Sequence, residues 1–482
     1  MDTRPIDPVQ LTVRWRLKPR ERQTLLVLGD LLATVTALLL ALLFWYQGEA
    51  YLQKFGFEEF LRTRPPLWFY ALPFIWLVLM VELYDVHRAG NWRATVSGVT
   101  TAAGIGLTIY LALFFFYTDP PRSLLPRRGV AGFFLGASFF TLLWRAIYIR
   151  IFTTPRFMRR VLLVGAGRSG QALLRVFKSL WPPPFYLVGL VDDDPQKEGQ
   201  TIENFPVLGD SHALRNLVTE HNISDILVAI SGEMSESMFQ ALLDTQEAGV
   251  EITRMPVMYE ELLQRVPIHY LDANWLLRSF VDESRTSGFY ALFKRLLDIA
   301  GGLTGTLFLL LFFPLIALAI YLDDGRPIFY TQVRLGRGGQ PYRIIKFRTM
   351  RRDAEPDGKA QWAKENDDRA TRVGRVLRKT HLDELPQFIN VLRGEMSLVG
   401  PRAERPQLVE YFQQYVPFYR TRLLVKPGIT GWAQVNFGYA STIEETGIKL
   451  EYDLYYIKHR TLWMDIVVLL RTPWTVIGLR GR

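Results

Sequence analysis

The sequence predicts a membrane protein in three parts: a four-helix transmembrane bundle, an α/β domain on a parallel sheet, and a mainly α (α+β) domain entered through a re-entrant helix. Three observations carry that reading. Four apolar runs, each near the ~20 residues a helix needs to cross a bilayer, fall before residue 152. Strand-like and helix-like patterns then alternate after a glycine-rich turn. A fifth apolar run contains a proline and is basic on both sides. The parts divide as residues 1–155, 156–285 and 286–482, with the re-entrant helix at about 291–322.

Composition narrows the chemistry. The 482 residues are 49% hydrophobic, which excludes a disordered chain. With no Cys, a disulfide scaffold, a Cys-ligated zinc or iron–sulfur site and a thiol nucleophile are excluded. The six His are dispersed, so any metal is expected to be a hard cation held by oxygens. Residues 1–160 carry net +9, residues 161–290 net −9, and residues 321–482 net +9. Such switches of sign point to separate domains.

The four runs are Leu25 to Tyr46, Leu67 to Tyr84, Val96 to Tyr117 and Val130 to Ile151. Trp45, Tyr46, Trp68, Tyr84, Tyr117 and Tyr148 stand near their ends, as interfacial anchors do. The first run is too long for a cleavable signal peptide and lacks a small-residue cleavage pattern. Arg14, Arg16, Lys18, Arg20 and Arg22 precede it, and Arg156, Arg159 and Arg160 follow the fourth, so both flanks are expected in the cytoplasm. Arg122, Arg127 and Arg128 in the last loop run against that trend.

In the second part, Val161 to Val164 reads as a buried strand, followed by Gly165-Ala-Gly167-Arg-Ser-Gly170 and a helix through Leu173, Leu174 and Phe177. A strand from Tyr186 to Val191 ends in Asp192-Asp193-Asp194. Strands at Ile226 to Ile230 and Val250 to Arg254 flank a helix from about Glu236 to Ala248. This is the pattern of a Rossmann-like module: a tight turn that admits phosphate, then an acid for a ribose hydroxyl. Two readings stand side by side here, NAD binding and a module that keeps the turn only for packing.

The fifth run, Ile299 to Leu322, follows Lys294, Arg295 and Asp298 and precedes Arg326, Arg334, Arg337, Arg343, Lys346 and Arg348. Basic flanks on both sides favour one side of the membrane for both. Pro314 removes a helix hydrogen bond and favours a bend. A kinked full crossing is the alternative.

The last 160 residues hold the candidate chemistry. A cationic strand, Tyr342 to Arg348, contains Lys346 and Arg348, and Arg372, Arg375, Arg378 and Lys379 follow. Then comes His381-Leu-Asp383-Glu384-Leu-Pro386-Gln387, with Leu385, Phe388, Ile389 and Leu392 on one helical face. Adjacent carboxylates among Arg and Lys suit phosphoryl chemistry, one holding Mg²⁺ while its neighbour attacks or deprotonates. Guanidinium groups, including Arg402 of Gly400-Pro401-Arg402, pair phosphate oxygens. The stretch Lys426 to Asn436, with Trp432 and Gln434, suits a nucleotide or sugar, or a structural turn.

These residues resemble the bacterial polyprenyl-phosphate glycosyl-1-phosphate transferases, the monotopic phosphoglycosyl transferase family. The matching pieces are Lys294-Arg295-x-x-Asp298, Lys346-Phe-Arg348-Thr-Met350, Leu382 to Gln387, Met396 to Arg402, Lys426 to Asn436 and Tyr452-Asp453-Leu-Tyr-Tyr456. The preceding bundle and Rossmann-like module look like the family's large form. Ala403, where a second Pro is common, and Phe437, where Gly or Tyr is frequent, are departures.

The resemblance implies that a sugar 1-phosphate passes from a UDP-sugar to undecaprenyl phosphate, giving UMP, as a first membrane step of exopolysaccharide, capsule or O-antigen synthesis. It implies attack by Asp383, Mg²⁺ on Glu384, and substrate binding by Lys346, Arg348, Arg378, Arg402, Gln434 and Asp453. A re-entrant helix with Lys294, Arg295, Asp298 and Pro314, a homodimer, and a multi-pass protein of the bacterial inner membrane with its catalytic domain in the cytoplasm are also implied. Nearby cations are expected to hold the Asp383 pKa low, and Lys294 and Arg295 to anchor beside lipid phosphates. The C-terminal Trp463, Ile466, Val467 and Leu470 are expected to lie along the interface, with Arg471 and Arg480 exposed.

Other classes remain open at this level. A membrane-bound NAD-dependent nucleotide-sugar dehydratase or epimerase would need a helical Tyr-x-x-x-Lys pair, and Tyr342 and Lys346 have that spacing in a β-patterned run. A non-enzymatic scaffold would tolerate loss of Asp383. Nucleic acid is not expected as a partner, because a membrane surface and polyphosphate substrates account for the basic charge.

Overall fold

The computed structural model describes residues 19–53, 56–84, 86–116, 127–152, 158–181, 183–271, 275, 279–280, 288–351, 369–438 and 440–476. Arg14, Arg16, Lys18, Tyr117, Arg122, Arg156 and Arg480 lie outside these residues. The chain forms two compact units, Met1–Glu261 and Leu262–Arg482. Residues 262–285, read from the sequence with the Rossmann-like module, therefore fall in the second unit.

In the first unit, long helices cover Pro19–Gln53, Trp92–Phe116 and Arg127–Phe152. All three contain apolar spans of at least 24 residues, long enough to cross a bilayer. The second predicted run is different. Leu67–Ala71 is a 3₁₀ turn, Leu72–Leu79 an α-helix and Val81–Tyr84 a second 3₁₀ turn. The continuous apolar helix, Leu67–Leu79, is about 20 Å long at 1.5 Å per residue, against about 30 Å of hydrocarbon. Pro66 immediately precedes the first turn, and Pro73, at the start of the α-helix, cannot donate a backbone bond to the preceding one.

The first and last long helices pack through small residues. A Cβ at Gly136 would meet Ala37 Cβ at 3.2 Å, so the two backbones approach closely. Between them Arg145 bonds Asp30 at 2.7 Å and the carbonyl of Leu83 at 2.9 Å, and both charged side chains are fully buried. Nothing in the local pattern foretells this pair, whose members lie 115 residues apart.

The rest of the unit is the Rossmann-like sheet. Strands β1 (Arg160–Val164), β2 (Tyr186–Val191), β5 (Asp225–Val228) and β6 (Glu251–Arg254) pair in the order β2-β1-β5-β6, all parallel. The two-residue strands β3 (Thr201–Ile202) and β4 (Phe205–Pro206) form a small hairpin between β2 and β5. The glycine turn feeds a helix over Arg168–Ser179, with Gly165 at φ +101°. Asp192, the expected ribose acid, accepts the Ala166 N–H of that turn at 2.6 Å and pairs with Lys197 at 3.1 Å. The acid is thus engaged by the module's own donors.

The longest helix of the second unit has 37 residues, Gly288–Asp324, contains Pro314 and remains helical across it. Leu303, Leu307, Leu310, Leu311, Leu315 and Leu322 are exposed on it. Its other face lies against the helix Gln387–Arg393, where a Cβ at Gly302 would come within 2.8 Å of Leu392 and one at Gly305 would overlap the Phe388 ring. Farther along, Leu309, Ile316 and Ile320 share a core with Phe347 and Leu377.

The antiparallel hairpin of β7 (Phe329–Leu335) and β8 (Pro341–Phe347) follows. Short parallel strands β9 (Ser397–Val399) and β10 (Gly428–Thr430) and the helices Ile443–His459 and Leu462–Val476 complete the unit.

Candidate active site

Asp383 and Glu384 sit in a single 3₁₀ turn, Leu382–Glu384. His381 enters it in the left-handed region at φ 56°. Pro386 then caps the helix Gln387–Arg393, whose Phe388 packs on the long apolar helix. Both carboxylates are buried.

Glu384 Oε1 accepts from Lys346 Nζ at 2.8 Å and from Arg402 Nη2 at 2.8 Å. Burial would raise its pKa, but Arg402 and Lys346 outweigh it and hold the carboxyl well below the usual range. Asp383 behaves in the opposite way. No hydrogen bond reaches its carboxylate from the described residues. Burial, opposed by Lys346 and reinforced by the neighbouring Glu384 charge, lifts its pKa to about 6. The expectation of a low pKa is overturned because the cations bond to the other carboxylate.

The other expected site residues divide. Lys346 and Arg402 meet the acid pair directly, and the Arg378 charge also acts on Asp383. Arg348 instead donates to the carbonyls of Asp324 and Gly325 at 2.8 Å, closing the end of the long helix. Gln434 Nε2 donates to Ile429 O at 2.9 Å within its own turn. Asp453 is buried against Arg422 at 2.8 Å. Trp432 stacks near the Tyr455 ring, with centroids 6.0 Å apart, and the Arg471 guanidinium lies over its ring at 5.1 Å, so the indole is engaged by the protein's own side chains. Arg471, expected exposed, is buried there and bonds Asn436 at 3.1 Å. Of the face expected at the interface, Trp463 and Ile466 are exposed, whereas Val467 packs against the buried core and Leu470 is half-buried. Tyr342 and Lys346 both lie in β8, not on a helix.

Lys294 and Arg295 are not free to meet lipid phosphates. Lys294 Nζ donates to Val399 O at 2.9 Å and pairs with Asp465 at 3.1 Å. Arg295 donates to Val391 O and Leu392 O at 2.9 and 2.8 Å, capping the C-terminus of the helix that follows the acid pair. Asp298 accepts from Ser397 Oγ and Leu398 N at 2.8 and 2.9 Å. These three residues bind the long helix to the catalytic core.

A second layer escaped sequence reasoning. Arg422 bonds Asp453, Glu404, the Tyr419 hydroxyl and the carbonyl of Arg402. Lys449 adds a 3.1 Å contact to Glu404. Burial opposes ionisation of Glu404, but Lys449, Arg422 and Arg334 bring its pKa down to about 2. The only sequence signal for this layer was that Asp453 and Arg402 lie in recognisable motifs.

The donor set fits Mg²⁺ through carboxylate. Among the described residues, no cluster of three or more His, Asp or Glu forms a complete protein cage. Mg²⁺ commonly uses one or two carboxylates and completes its shell with water and substrate phosphates. Both protein bonds to Glu384 fall on Oε1, so Oε2 accepts no hydrogen bond from the described residues.

Residues 289–478 match the family described as bacterial sugar transferase, and residues 79–256 one described as CoA-binding domain. The UDP-N-acetylgalactosamine-undecaprenyl-phosphate N-acetylgalactosaminephosphotransferase of Aeromonas hydrophila is 42% identical over 48% of this chain and 53% of its own. The UDP-glucose:undecaprenyl-phosphate glucose-1-phosphate transferase of Escherichia coli (strain K12) is 44% identical over 65% of this chain and 67% of its own. The UDP-galactose-lipid carrier transferase of Erwinia amylovora is 30% identical over 67% of this chain and 69% of its own. The chain thus spans about half the length of the Aeromonas relative and about two thirds of the other two.

Proposed function

We propose, from the premise that this chain belongs to the bacterial sugar transferase family, that it moves a sugar 1-phosphate from a UDP-sugar to undecaprenyl phosphate and releases UMP. The observation that carries the mechanism is the unequal acid pair. Glu384 is bonded to two cations, whereas Asp383 is buried without a bonded partner among the described residues.

Asp383 Oδ attacks the phosphorus that bears the sugar, and the bond from that phosphorus to the bridging oxygen breaks. UMP leaves with the bond's electron pair, and an aspartyl phosphosugar remains. A phosphate oxygen of undecaprenyl phosphate then attacks the same phosphorus and restores the Asp383 carboxylate. Splitting one displacement into two lets each acceptor meet the phosphorus in turn. Lys346 and Arg402 fix Glu384, and their charge favours phosphate oxygens beside it. Bound Mg²⁺ on Glu384 would offset diphosphate charge and that of the departing phosphate.

Incubating the purified full chain with undecaprenyl phosphate, Mg²⁺ and a panel of UDP-sugars should release UMP in the presence of at least one sugar nucleotide. No UMP from any member of the panel would overturn the reading.

We place the catalytic unit in the cytoplasm of a bacterial inner-membrane protein, with the Pro314 helix re-entrant. The two ends of that helix support the re-entrant path. Lys294 bonds Val399 O near its start, and Asp323 accepts the Val373 N–H near its end. Both partners belong to the same compact unit, which a straight crossing would divide between two sides. Since the chain lacks Cys, single cysteines replacing exposed Gln240 and Gln414 can report sidedness without background. Both should react with an impermeant thiol reagent in inverted vesicles and neither in intact spheroplasts. Labelling from opposite sides would exclude the re-entrant topology.

A further inference from the structure

We propose that residues 262–271 are a positioning strut of the active site, holding the acid pair's cationic partner through the turn that carries Trp432. The proposal rests on the transferase reading for its kinetic effect and on the packing alone for its structural effect.

The strut is built into the second unit, immediately after Glu261. Val266 and Ile268 are fully buried in one core with Trp432, Leu450, Leu454 and Ile457. The Val266 N–H donates to Glu451 O at 3.0 Å, and Arg265 pairs with the Glu451 carboxylate at 3.3 Å. Gln264 adopts φ 55°, a left-handed conformation that side chains other than Gly and Asn rarely take. That turn presents the Gln264 carbonyl to Trp432 Nε1 at 3.0 Å.

From Trp432 the contacts run without a gap to the carboxylates. Trp432 follows β10 by two residues, and β10 pairs with β9. Gly400 N donates to Thr430 O, and Gly428 N to Pro401 O, both at 2.9 Å. Those bonds fix Gly400-Pro401-Arg402, whose guanidinium reaches Glu384 Oε1 at 2.8 Å. Residues 262–271 touch no reacting group, so their role is positioning. A segment that only filled the core would lower stability when altered and leave the acid pair's geometry alone. A strut moves Arg402, and a displacement of about 1 Å near reacting groups costs up to ~100-fold in rate.

Three full-chain variants separate these cases. Gln264→Pro cannot adopt a positive φ and removes the turn. Trp432→Phe keeps a ring but loses the indole donor. Gln264→Gly retains the turn without strain and is the control. UMP release and amide hydrogen exchange over 397–402 and 428–436 are measured at a temperature where each variant is folded.

The strut predicts that Gln264→Pro and Trp432→Phe lower kcat roughly 10-fold or more. Combining them should cost no more than the worse single change, because both cut one path. Exchange should rise in both segments for these two variants and stay at the wild-type level for Gln264→Gly. Wild-type kcat in both disruptive variants, or losses that multiply, would overturn the strut. If the wild-type chain releases no UMP, the transferase reading fails on its own. Exchange then decides the strut, and unchanged protection in Gln264→Pro refutes it.

Discussion

Asp383→Asn is expected to reduce UMP release by at least about 1,000-fold, because the amide keeps the shape of the side chain and loses the attacking lone-pair charge. Folding should survive, since no described residue donates a hydrogen bond to that carboxylate. The wild-type pH profile gives a second test. With the Asp383 pKa lifted to about 6, the nucleophile is mostly ionised at pH 7 and mostly protonated at pH 5. The rate should therefore fall about tenfold per pH unit below 6. A flat profile between pH 5 and 7 would remove Asp383 ionisation from the mechanism.

The same shift bears on stability with a definite sign. A carboxyl whose pKa is raised on folding stabilises the fold below its unfolded value, and that contribution is lost as pH rises through about 6. At pH 7 the buried Asp383 charge is a cost, so the neutral Asn variant should melt no lower than wild type. The difference should vanish below about pH 4, where the wild-type side chain is also neutral.

The second large effect is expected from Arg422→Met. The Arg422 side chain is 3% exposed and Asp453 2%, so their 2.8 Å contact is shielded from solvent. Removing the cation leaves Asp453 and Glu404 buried with Lys449 as the nearer remaining charge. Breaking a buried pair in this way costs roughly 3–5 kcal/mol. Denaturant melts of the full chain should show that loss, with Arg422→Lys intermediate because it restores charge without the guanidinium fork. Unchanged stability in Arg422→Met would show that the network does not support the fold.

Legibility in the sequence followed the range of the physics. The strands at Val161, Tyr186, Ile226 and Val250 were readable because local apolar runs bounded by turns determine them, and their ends fell within two residues. The acid pair was readable because Asp383 and Glu384 are neighbours in one short turn and Pro386 marks the start of the next helix. The second apolar run was overextended because hydropathy does not register the break at Met80, where the helix closes. Roles set by distant partners were hidden. Lys294 and Arg295 look like lipid anchors until carbonyls about 100 residues away claim them. Gln264 carries no chemical signal, because its contribution is a backbone carbonyl.

The long helix with Pro314 has a consequence for where chemistry can occur. Its Gly302 and Gly305 receive Leu392 and Phe388, and Phe388 lies four residues after Glu384. The apolar surface and the acid pair are therefore joined through packed helices rather than through a linker. With the long helix seated in the membrane as proposed, height above the lipid would be set by the protein, and a long-chain acceptor would need only to diffuse laterally to present its phosphate at that level. Bilayer thickness and headgroup packing then become parameters of the reaction, and a detergent micelle changes the calibration as well as the solvent.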